Sequence, residues 1–105
     1  MAWMKLEDTA YDHPKIRKLA RRLRIEEVTA LGMMTSLWTW CLRHAPDGNL
    51  TKFDIDDIEL AAKWVGEPGD FYRHAVELTL IDKDDETTGV HGWMRRAENF
   101  KTARS

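Results

Sequence analysis

The chain has 105 residues, 43% of them hydrophobic and 32% charged, with a net charge of −2. That length suits one domain, large enough to bury about two-thirds of the surface its unfolded chain exposes. A single cysteine excludes a disulfide framework and a four-cysteine zinc site. No apolar run approaches the ~20 residues of a membrane span, and the opening residues lack a signal-peptide profile, so a cytoplasmic setting without a membrane partner is expected.

The small net charge conceals an asymmetry. Residues 1–24 carry seven Lys or Arg against three acids, and residues 93–105 carry four against one. Residues 52–92 carry four against eleven. An anionic partner would meet the ends and a basic partner the middle.

In chain order, Trp3-Met4-Lys5-Leu6 reads as a short strand. Asp12 is a candidate N-cap for a first helix that starts around Pro14. There Ile16, Leu19, Ala20 and Leu23 form one apolar stripe, and Lys15, Arg17, Lys18, Arg21, Arg22 and Arg24 fill the rest of the circumference. The stripe separates Arg17, Arg21 and Arg24 from Lys15, Lys18 and Arg22. A second helix, from about Glu26 to His44, is apolar almost all the way round and reads as the buried spine. The Pro46-Asp47-Gly48 turn ends it, and Asn49 to Phe53 reads as extended.

Asp54 then caps a third helix, to about Val65, with Ile55, Ile58, Ala61, Ala62 and Val65 on its inner face. Asp56, Asp57 and Glu59 suit the positive end of its dipole. A fourth helix opens with Pro68 and runs to about Thr79. Phe71, Ala75 and Leu78 face inward, flanked by Tyr72 and Val76, while Asp70, Arg73, His74 and Glu77 face outward. Leu80-Ile81 and Val90 to Trp93 flank an acidic turn-rich stretch and read as a β-hairpin with a long loop. Two helices joined through Gly66-Glu67 and followed by a hairpin make a winged helix-turn-helix. The expected fold is mainly α: about four helices, a wing and a short N-terminal strand. Residues 1–93 form the domain, and 94–105 form a basic tail that continues as an amphipathic helix with Met94 and Ala97 on one side. The expected core includes Leu31, Met34, Leu37, Trp38, Ile58, Phe71, Val76 and Leu78, with Trp3, Trp64 and Trp93 packed in the same domain.

Several short motifs carry a resemblance in their order and spacing. They are Ala2-Trp3-Met4-Lys5, Asp12-His13-Pro14-Lys15, and Ala30-Leu31-Gly32 leading to Leu37-Trp38-Thr39-Trp40. Ala45-Pro46-Asp47-Gly48 and His91-Gly92-Trp93 follow them. Over residues 2–93 the chain resembles the N-terminal domain of phage replisome-organiser and DnaD-like replication proteins. The resemblance implies a winged-helix fold, DNA binding or self-assembly at a replication origin, and no enzymatic activity. Family members usually carry a second domain that contacts the replication machinery, and nothing in this chain matches it.

No catalytic pattern emerges from the residues, so no enzyme and no cofactor are expected. The glycines stand singly, without a phosphate loop. Ser36 and Ser105 lack a nucleophile-elbow pattern. Asp82, Asp84 and Glu86 imitate the first ligands of a calcium loop, but Thr87 and Trp93 stand where Gly and Glu are needed. Cys41 and His44 share a helix face without further ligands, so no metal site is expected. Trp38 and Trp40 point to opposite faces, which makes one of them core and leaves the other as core or an interface anchor.

The basic first helix is the sharpest feature. It is open to three readings: a solvated face, phosphate contact, or pairing with the acidic middle of a neighbouring copy. The first two weigh equally, and the physical case for phosphate is direct, because clustered cations displace condensed counterions from nucleic acid. The expected DNA-binding residues are Lys15, Arg17, Lys18, Arg21, Arg22, Arg73, Arg95 and Arg96. The acidic hairpin argues against ordinary wing docking, and base reading by Asp70 to Thr79 has thin support. The alternative function is a protein-interaction or self-assembly module using the acidic surface, for instance a small phage-encoded inhibitor. Expected partners are therefore DNA, further copies of the chain, and a replication or host protein.

Overall fold

The computed structural model describes residues 14–93. Four helices precede a hairpin: α1 (Pro14–Leu23), α2 (Glu27–His44), α3 (Ile55–Ala62), α4 (Asp70–Glu77), β1 (Ile81–Lys83) and β2 (Thr88–Val90). The strands pair antiparallel, with Ile81 opposite Val90 and Lys83 opposite Thr88. The segment after α2 adds a short third edge. Asn49 bridges Gly89, the Leu50 N–H donates to the Thr88 carbonyl at 2.7 Å, and the Val90 N–H donates to the Gly48 carbonyl at 3.0 Å. Of the expected extended run 49–53, only this first part pairs. The rest turns toward α3.

The order α2, edge strand, α3, α4, hairpin is a winged-helix-like arrangement, with α1 laid against α2 and α4. The expected strand at Trp3 to Leu6, the Asp12 cap, the packing of Trp3, the tail helix and Arg95 and Arg96 lie outside the described residues.

The core is apolar and shared by all the elements. Ile16, Leu19, Met34, Leu37, Trp38, Leu50, Ile58, Phe71 and Ile81 are buried, so the helices are held mainly by removal of apolar surface from water. Val76 is only half-buried, as is Trp64. Trp93 is buried and donates its indole N–H to the Pro46 carbonyl at 2.8 Å. It lies over Gly48, whose φ is 76° and where a Cβ would fall inside the indole. That position needs glycine for both reasons.

Three helices close the same way. Arg24, Lys63 and Thr79 adopt left-handed φ values of 58°, 67° and 60°. The next residue in each case donates back five positions: Ile25 to Ala20, Trp64 to Glu59 and Leu80 to Ala75. This is the Schellman closure, here without glycine. It stops α3 at Ala62 and α4 at Glu77, earlier than hydrophobic spacing predicts. Val65 therefore leaves the helix and is 96% exposed instead of lining the inner face, and Ile55 at the other end is 43% exposed. Helix α2 is the spine, but not buried on every side: Val28, Thr29, Gly32 and Thr39 are exposed along one face.

Glu59 is the main departure from the sequence reading. It is 5% exposed and bonds to the next helix. Its carboxylate accepts the Gly69 N–H at 2.8 Å and the Tyr72 N–H at 3.0 Å. Helix α4 has glycine as its N-cap, which offers no side-chain oxygen, so the acceptor for its first amides comes from α3. Asp54 and Asp57 form a reciprocal capping box at the start of α3.

Candidate nucleic-acid interface

Helix α1 buries Ile16, Leu19, Ala20 and Leu23 and turns its cations to the sides and outward. The cations at its edges hold the helix in place. Lys15 donates to the Thr79 carbonyl at 3.1 Å, at the negative end of α4. Arg22 pairs with Glu77 in the last turn of α4 at 2.8 Å. On the other edge Arg17 pairs with Glu27 at the start of α2 at 3.2 Å. Lys18 and Arg21 stand between these edges, exposed. Among the described residues no acid pairs with them or with Arg24.

Helix α4 occupies the place of the second helix of a helix-turn-helix, and its two basic side chains are engaged within the chain. Arg73 is exposed but bonded to Asp70 at 3.1 Å. His74 does not face fully outward as expected. It is half-buried, with Nδ1 enclosed and 3.7 Å from the Glu77 carboxylate. Glu77 is held by Arg22. The structure thus brings Lys15 and Arg22 to the C-terminal end of α4 and leaves Lys18 and Arg21 as the outward pair. Arg73 is the α4 member of the expected set.

The wing is acidic, as its composition implies, but much of that charge is engaged. Asp82 accepts from His91 Nδ1 at 2.9 Å. Asp84 folds the turn by accepting the Glu86 and Thr87 N–H groups and the Thr87 hydroxyl. These hydrogen bonds hold its carboxyl below the usual range, since they favour the charged form. Asp85 and Glu86 remain exposed at the tip and would repel phosphate.

Cys41 and His44 do not come together as ligands. Burial pushes the Cys41 thiol up to about 12, while His44 is exposed and packs on the Trp40 ring at 5.0 Å. Trp38 is the core member of the tryptophan pair. Trp40 is half-buried, edge-on to Phe53 at 4.7 Å. Among the described residues no group of three or more His, Cys, Asp or Glu could hold a metal ion, and no helix is long and apolar enough to cross a membrane.

The sequence reading missed Glu59. The available signal was Gly69 at the start of α4: a glycine N-cap needs an outside acceptor, and Glu59 is a carboxylate within one helix-turn-helix of it. Comparison with protein-family models, curated proteins and solved structures finds no match.

Proposed function

We propose that the chain is a DNA-binding winged-helix domain of the phage replication-initiation kind, contacting duplex DNA mainly through backbone phosphates. The observation that carries this reading is the outward pair Lys18 and Arg21 on a helix fastened by Lys15 and Arg22 to α4. Cations without an acidic partner are the ones free to replace counterions on DNA. Arg24 extends the pair past the end of α1. In this mode α4 serves as a support for α1, with Arg73 as its contribution to the surface.

The replication assignment rests on the resemblance. The Ala45 to Gly48 turn and the His91 to Trp93 segment, two separate parts of that resemblance, meet through the Trp93–Pro46 hydrogen bond. We read the chain as a binding protein.

The test is fluorescence anisotropy with random duplex DNA over a salt series. The double change Lys18→Glu, Arg21→Glu should lower affinity about tenfold or more for every sequence, and flatten the salt dependence by about one unit per lost contact. Arg73→Ala should do less. Equal affinity for wild type and the double variant, both folded by circular dichroism, would sink the phosphate assignment. Absence of binding by the wild type at ~50 mM salt would sink DNA binding and leave the interaction-module reading.

A further inference from the structure

One long face of α2 is not covered by the described chain. Thr29, Gly32, Thr39 and Arg43 recur along it at helical spacing, all exposed. Helix α3 and the turn after it form a second wall. Two grooves run there end to end. One, about 390 Å³, is lined by Thr29, Gly32, Met33, Trp64 and Val65. The other, about 580 Å³, is lined by Ser36, Trp40, Arg43, His44 and Leu60. Lys63 lines both. From Thr29 to Arg43 the trough is roughly 21 Å long at the helical rise, the length of a helical segment of about four turns.

Three features make this more than a bare surface. Leu60 is 69% exposed and Val65 96%, so large apolar side chains stand open along the wall. Gly32 sits mid-helix, where glycine is a poor helix former, and a Cβ there would meet nothing within 4 Å. No neighbour in the described chain requires the glycine, and its missing side chain keeps the trough open. The trough is also locally positive in a chain of net charge −2. Its walls hold two cations, Arg43 and Lys63, against one acid, Asp57, whose carboxylate accepts the Asp54 N–H at 3.3 Å.

We propose that this groove binds an acidic amphipathic helix of a partner protein. Apolar side chains of that helix lie on Leu60, Val65 and Trp64, and its carboxylates face Arg43 and Lys63. The charge of the walls selects an acidic partner. Two observations disfavour other occupants. The Trp40 ring is packed on His44 and Phe53, and the Trp64 ring lies against Gly66 with its N–H donated to the Glu67 carbonyl at 2.8 Å, so both indoles of the groove are already engaged and are poor stacking platforms for single-stranded nucleic acid. The chain's own acidic hairpin, Asp82 to Glu86, carries no large apolar side chain to fill the groove. This site is separate from the α1 surface and does not depend on the DNA reading.

The probe is a fluorescein-labelled synthetic helix of about four turns, with Leu at i, i+3, i+4 and i+7 and Glu flanking them, titrated with the full chain at about 50 mM salt. Saturable binding is expected, about tenfold weaker or worse for the same peptide with Lys in place of Glu. Gly32→Glu should weaken it about tenfold while the circular-dichroism melt is unchanged or raised, because Glu is the better helix former. Arg43→Glu with Lys63→Glu should reverse the preference to the Lys peptide. Lys18→Glu with Arg21→Glu should leave peptide binding intact, which separates this site from the DNA surface. The proposal is overturned by no saturable binding, by equal binding of the Lys peptide, or by an unchanged affinity in Gly32→Glu. Displacement of the peptide by a single-stranded oligonucleotide would overturn it too, as would a wild-type dimer that Gly32→Glu makes monomeric.

Discussion

Helix α1 and the β1–β2 hairpin are both charge-dense, opposite in sign and unlike in how the charge is used. In the hairpin, Asp84 is bound to its own turn and Asp82 to His91 across the strand ends. In α1, the edge cations reach across to other elements, Lys15 and Arg22 to α4 and Arg17 to α2, and the outward pair, Lys18 and Arg21, is paired with no acid among the described residues. A local turn consumes charge close to where it sits in sequence. A helix distributes charge around its circumference, so the same stretch both fastens itself and stays available. Counting charges along the chain therefore overstates what the hairpin has free. It also hides that α1 divides its cations between two tasks.

Glu59 is the extreme of the consumed kind, and breaking it should have the largest effect on stability. Glu59→Ala leaves two amides at the start of α4 without their acceptor and should lower unfolding free energy by about 1–3 kcal/mol in urea titrations. Glu59→Gln keeps the length and one acceptor oxygen and should cost less. If both variants melt like the wild type, water serves those amides and Glu59 is no clamp.

The edge and outward cations of α1 should separate next. Arg22→Ala removes an ion pair that is largely solvent-exposed, so the loss should stay within about 1 kcal/mol. Arg21→Ala should leave the melting temperature unchanged, because no described acid pairs with it. An equal or larger loss for Arg21→Ala would erase the distinction between fastening and available cations.

The smallest effect is local and pH-dependent. The Asp84 carboxyl titrates below its ordinary value in the folded turn. Its contribution to turn order is therefore present above the unfolded value near ~3.9 and is lost as pH falls through the lower folded value. Amide shifts of Glu86 and Thr87 by NMR should move together in that acid window, and Asp84→Ala should abolish the coupled step. Movement of these amides near neutral pH instead would assign the turn's order to another group.

Apolar periodicity and turn residues determined the order of helices, the hairpin and most of the core, because burying a stripe at helical spacing needs no knowledge of what covers it. Leu31, Met34, Leu37, Trp38, Ile58, Phe71 and Leu78 are accordingly buried. The sequence also sufficed for the sign of each charged region, since charge follows composition. Tertiary structure alone decided where the helices stop, because Lys63 and Thr79 take a left-handed turn that no propensity favours, and this puts Val65 outside instead of in the core. It alone turned Glu59 from a helix-start acid into the cap of the next helix, since the choice depends on where Gly69 comes to rest. It alone separated Lys18 and Arg21 from their neighbours in α1, because whether a surface cation is free is settled by which acids the packed helices bring within reach.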